Sequence, residues 1–152
     1  MYSFLLSLHS VFRWLVVLSL FTAIIRSFTG FTSPRPFGRL DNAIRHWTAT
    51  IAHIQLMIGI LLYTQSPLVS YYFGTDEPDN PEAFFFSILH LVLMSTALVI
   101  ITIGSAKAKR KKGAYAKFKT LFLWFVIALV LIFAAVPWPF SPLAQRPFLR
   151  SF

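Results

Sequence analysis

Four apolar runs, each long enough for a helix that crosses a lipid bilayer, alternate with short polar segments along the 152-residue chain. A hydrocarbon layer of about 30 Å needs roughly 20 apolar residues per helical span. The first run covers about residues 2–26 and the others about 41–64, 83–105 and 117–136. None alternates in the manner of a membrane barrel strand. The pattern therefore predicts an all-α membrane protein, a four-transmembrane-helix bundle forming a single domain over 1–152. A secretory leader carries positive charge before its apolar stretch and small residues at a cleavage site after it. Here no Lys or Arg precedes Arg13, so the first run reads as a retained helix.

The polar segments supply the breaks. Ser33-Pro-Arg-Pro-Phe-Gly-Arg39 holds two prolines and a glycine, which stop a helix and turn the chain. Asp41 reads as the N-cap of the second helix, and Arg45, His46 and Trp47 in its first turns suit a membrane interface. That helix ends before Ser66-Pro67. Residues 74–82 hold four of the five acidic side chains, and their prolines make an exposed loop. Lys107, Lys109, Arg110, Lys111, Lys112, Lys117 and Lys119 follow the third run with no anion among them. Pro137-Trp-Pro-Phe140 ends the fourth run, where tryptophan suits the headgroup region.

Composition reinforces this picture. With 57% hydrophobic and only 12% charged residues, the chain carries more apolar surface than a water-soluble fold of this size can hide. The net charge of +9 would suggest nucleic acid in a soluble protein. Here the cations stand beside the spans, where they set orientation. The first and third connections are basic and the second is acidic, so the positive-inside rule places both termini outside: N-out/C-out. Arg146 and Arg150 in the tail run against this, two charges against seven. The basic loop is first a topology signal and second a surface for anionic lipid headgroups. The absence of cysteine excludes disulfides, thiolate metal sites and cysteine nucleophiles.

Ionisable side chains inside a lipid span are costly, which makes them the first candidates for chemistry. They are few: His9 and Arg13 on the first helix, His46 and His53 on the second, and His90 on the third. At about 1.5 Å of rise per residue, His9 lies roughly 7 Å, His90 roughly 10 Å and His53 roughly 16 Å below the outer boundary of their runs. His46 belongs near the opposite face. Leu8-His9-Ser-Val11 echoes Leu89-His90-Leu-Val92, as two helical hairpins related by an axis along the membrane normal would. His9 and His90 then face each other across the bundle. Two level imidazoles on facing helices suit haem iron, with His53 as the alternative ligand. Arg13, four residues after His9, shares its helix face, and its permanent charge calls for an anion such as a haem propionate. The plainer readings are hydrogen bonding between helices for the histidines and snorkelling or carbonyl capping for Arg13. Met94 reads as packing before thioether ligation. Phe84 to Phe86 and Phe122 read as lipid-facing or interfacial bulk, and Gly59 and Gly104 as points of close helix approach. No phosphate loop, nucleophile with a base, or carboxylate pair is present.

Leu8-His9-Ser10 with Arg13, His53-Ile-Gln55 followed by Gly59, Leu62-Tyr63 and Ser66-Pro67, His90 with Met94, Ile103-Gly104-Ser105 and the closing Pro-Trp-Pro-Phe140 resemble a family of small four-helix membrane proteins of Bacteroidetes-type bacteria commonly labelled cytochrome b-like. The resemblance covers nearly the whole chain. It implies four helices in the bacterial inner (cytoplasmic) membrane and a b-type haem, with His9, His53 and His90 on the family's histidine positions. The family often carries an acidic residue just before the third histidine. Ile88-Leu89 take that place here, which speaks against a proton-linked role there.

The leading expectation is a haem b-binding membrane cytochrome that relays electrons, with His9 and His90 on the iron and Arg13 on a propionate. It would be an electron carrier or subunit before a stand-alone enzyme, exchanging electrons with a quinone or another respiratory subunit. A cofactor-free accessory or scaffolding subunit of a larger membrane complex is the alternative. A proton or ion path through the histidines is the third reading, and the lack of deep carboxylates counts against it.

Overall fold

Nothing in the first apolar run breaks a helix before Ser33-Pro34, and in the computed structural model of the chain α1 runs Tyr2–Thr32. Residues 1–76, 79–142 and 144–148 are described; Glu77 and Pro78 of the acidic loop and Arg150 of the tail lie outside them. Proline disfavours the α region for the residue before it, and Ser33 is extended, with φ −118° and ψ 104°. Arg26 does not end α1, because a charge alone does not break a helix and Asp41 receives this one: the carboxylate accepts from Arg26 at 2.8 Å.

Helix α2 runs Arg39–Thr64 with Gly38 as its N-cap. Asp41 is thus not the cap but the third residue of the helix, reaching back to accept from the Gly38 N–H at 3.0 Å. That reciprocal bond satisfies one of the orphan donors of a helix start. A short helix α3, Pro67–Gly74, follows, its first turn capped by Ser66. Asn80 caps α4, Pro81–Phe84, accepting from the N–H groups of Glu82 and Ala83 at 3.0 Å each. A π-turn over Phe85–Leu89 then leads without a break into α5, His90–Arg110. Gly113 turns the chain at φ 84°, a conformation that favours glycine, and α6 runs Ala114–Ala135.

The stretches Tyr2–Thr32, Arg39–Thr64, Pro81–Arg110 and Ala114–Ala135 are long and apolar enough to cross a membrane, as a multi-pass membrane protein requires. Even the shortest, 22 residues, covers about 33 Å at helical rise. No strand occurs among the described residues. Cross-contacts show that every neighbouring pair is antiparallel. Arg26 meets Asp41 while Gln55 meets the backbone of His9; Arg45 meets Ser105 while Tyr63 meets Ser87. Likewise Phe28 packs on Phe122 while Trp14 packs on Trp138. The four long helices form a ring in which α1 stands diagonally opposite α4–α5.

Small residues set how closely the ring closes. A Cβ on Gly30 would lie 2.6 Å from the ring of Phe118, and one on Gly104 would overlap the Cβ of Trp124. Leu20, Ile101, Phe125 and Ala128 are fully buried in the middle of the bundle, while Leu18, Phe21, Val99 and Val130 point outward. This is the arrangement lipid favours, since hydrocarbon covers the outer apolar face. Phe85 departs from the lipid-facing expectation: it is buried, because the π-turn rotates it inward, whereas Phe84 is exposed. Phe122 packs on Phe28 and Phe31. Arg45 is not interfacial either. It is buried and donates to Ser105 Oγ at 2.6 Å and to Asn42. With Arg26 and Arg35 both on Asp41, this basic end of the bundle is tied by side-chain hydrogen bonds.

Gly104→Ala should lower the stability of the detergent-solubilised protein by about 1–3 kcal/mol, the usual cost of overpacking. Gly74→Ala, where a Cβ meets nothing within 4 Å, should stay within about 0.5 kcal/mol. Thermal unfolding followed by circular dichroism measures both, and equal effects would contradict the packing described.

Candidate functional site

In a regular α-helix each residue advances the face by about 100°, so one extra residue in a turn re-aims everything that follows. The π-turn before α5 does this: the N–H of His90 reaches back to the carbonyl of Phe85. Such turns are rare and occur often at functional sites. The imidazole of His90 is thereby brought to the end of α6, where Nδ1 lies 2.8 Å from the carbonyl of Ala135. Ala135 is the last residue of α6, and the final carbonyls of a helix lack a partner within it. A carbonyl only accepts, so Nδ1 carries the proton and the neutral ring keeps its lone pair on Nε2. The Ser87 carbonyl, inside the π-turn, accepts from the Tyr63 hydroxyl at 2.9 Å.

Across the bundle stands His9. Its ring centroid lies 6.4 Å from that of His90, with the planes at 63°. Gly59 makes room for it, since a Cβ there would lie 3.3 Å from His9 Cε1. Gln55 donates to the His9 carbonyl at 3.0 Å. Phe85 and Phe86 pack against the His90 ring at 5.7 and 5.9 Å. Both histidines line a cavity of about 310 Å³ in the half of the bundle that carries the termini, together with Arg13, Gln55, Met94 and Arg146. Ligand clefts start at about this size.

Several polar atoms of the lining lack partners. His9 Nδ1, Arg13 Nε and Gln55 Oε1 are buried without a hydrogen bond. Natural proteins rarely leave such groups unsatisfied. Arg13 also donates through Nη2 to the carbonyl of Phe148, which accepts from Trp14 Nε1 at 2.9 Å as well. The carbonyl that Arg13 meets lies on the tail and not at a helix end.

The structure thus brings His9, His90 and Arg13 together and leaves His53 apart. His53 is exposed on the outer face of α2, with Nδ1 2.7 Å from the Ala49 carbonyl and Nε2 3.5 Å from Thr102 Oγ1. His46 is exposed at the basic end beside Trp47. Met94 lines the cavity one turn beyond His90. No group of three or more His, Cys, Asp or Glu side chains that could hold a metal ion exists among the described residues. Sequence reasoning passed over three contributors. Arg146 was weighed only as a topology charge, the Ala135 carbonyl belongs to no motif, and the π-turn leaves no trace in the apolar run Phe84–Leu89.

Comparison with protein-family models, with curated proteins and with solved structures finds no match for this chain.

Tyr63→Phe should leave the Ser87 carbonyl without its side-chain partner and cost about 0.5–1.5 kcal/mol. Chemical unfolding of the two proteins in the same detergent measures the difference. An unchanged midpoint would show that the hydroxyl does not support the π-turn.

Proposed function

We propose that this chain is a b-type cytochrome of the bacterial inner membrane that relays electrons, with His9 and His90 as the residues that would hold its haem. The observation that carries the reading is the spacing of the two imidazoles. Metal–imidazole bonds are about 2.0–2.1 Å, so two imidazoles that hold one metal ion would stand on the order of 6 Å apart, centre to centre. The His9 and His90 centroids are 6.4 Å apart. Two imidazoles are too few to hold a bare metal ion, but they complete one that a porphyrin already holds by four nitrogens. The resemblance to cytochrome b-like proteins points the same way.

When bound, the haem supplies reversible one-electron chemistry. The chain's part is to hold and tune. His90 is held by Ala135 through Nδ1, and such an outer hydrogen bond raises ligand basicity and fixes ring orientation. The cavity lining is largely apolar, and Arg13 brings a permanent positive charge to it. Electrons would pass to or from a quinone or another respiratory subunit. The seven cations from Lys107 to Lys119, around the turn from α5 to α6, support a topology with both termini outside.

The purified protein should show a Soret band and, after dithionite, sharp reduced-form bands. His9→Ala and His90→Ala should each lose the low-spin spectrum, whereas His53→Ala should keep it. Colourless protein from haem-replete cells, or low-spin iron that survives loss of both His9 and His90, would contradict the reading. A phosphatase reporter that works only outside the cytoplasm should be active when fused at the C-terminus and inactive when inserted after Lys111; the reverse pattern would overturn the topology.

A further inference from the structure

We infer that the described part of the C-terminal tail, residues 144–148, belongs to the binding site, and that Arg146 on it joins Arg13 to clamp the acid groups of an amphipathic ligand in the cavity. The inference rests on the haem reading and names the residues that would take the carboxylates. Both guanidiniums line the cavity that contains His9 and His90, and they reach it from different parts of the chain. The tail is brought there by specific bonds. Its Phe148 carbonyl accepts from both Arg13 and Trp14, and the Trp138 ring packs 6.2 Å from Phe148 and 6.3 Å from Trp14. Arg146 pairs with Glu82 and lies over the ring of Phe86 at 5.0 Å.

Among the described residues that line the cavity, Arg13 and Arg146 are permanent cations and none is a carboxylate. Arg13 forms no ion pair among the described residues, and its Nε is buried without any hydrogen bond. A guanidinium presents a planar fork of donors that matches a carboxylate, so carboxylate groups on the ligand suit the two arginines. The lining also includes Met94, Ala97, Leu98 and Ile101, which suits an apolar body. The ligand class is therefore an amphiphile with its acid groups on Arg13 and Arg146, as a porphyrin with two propionates is.

The test is an absorbance titration of the detergent-purified full chain with ferric haem b and with its dimethyl ester, in which both propionates are masked. The wild type should bind the free acid about 10- to 100-fold more tightly than the ester, the range expected for charge-assisted hydrogen bonds. In Arg13→Gln and Arg146→Gln the preference should shrink to within about threefold, while Arg13→Lys and Arg146→Lys, which keep the charge, should retain most of it. Equal affinity of the wild type for acid and ester, together with low-spin spectra for both, would overturn the clamp and leave the histidine pair standing. A preference that survives in the Arg146→Gln protein would remove the tail from the site. If neither porphyrin binds, the haem reading falls and the clamp with it.

Discussion

A helix end leaves carbonyls without partners, and the site of this protein depends on what one of them receives. The carbonyl of Ala135 accepts from His90 Nδ1. That bond selects the tautomer of His90, fixes its ring and leaves the lone pair on Nε2. It is available only because α6 stops at Ala135, before Pro137, and because the π-turn over Phe85–Leu89 rotates His90 toward α6. An uninterrupted α-helix would aim the same residue about 100° away. The placement of one ring therefore joins an irregular turn in one helix to the termination of another.

The two ends of the bundle are built differently. At the basic end, Asp41 gathers Arg26 and Arg35, and Arg45 is satisfied by Asn42 and Ser105. The polar groups there partner one another, and the end is tied shut. At the terminal end, His9, Arg13 and Gln55 keep buried atoms unpaired around an open space. Unsatisfied polar groups in a low-dielectric interior are costly, and it is this contrast that the proposed binding site rests on.

Much of the architecture was legible in the sequence because lipid imposes one rule: spans must be long, apolar and helical. The four apolar runs and their proline breaks met that rule plainly. Boundaries were less legible. Arg26 looked like an end to α1 and Asp41 like a cap, because a charge beside an apolar run resembles a boundary when its partner is out of sight; the two residues in fact pair with each other. The meeting of His9 with His90 followed from depth and from the echo around each histidine. His53 looked equally suitable because depth along a helix says nothing of direction around it. The π-turn and the tail were not legible, since a phenylalanine-rich run looks the same in either winding and Arg146 resembles any flanking charge until the chain folds back over the cavity.

The central claim is that imidazoles from two diagonal helices share one iron. Pulsed electron paramagnetic resonance on the oxidised protein, grown with histidine labelled at both ring nitrogens, counts those ligands directly. The account predicts low-spin ferric iron coupled to two labelled imidazoles, falling to one when His9 is replaced. A single coupled imidazole in the unaltered protein, or no iron signal at all, would contradict it.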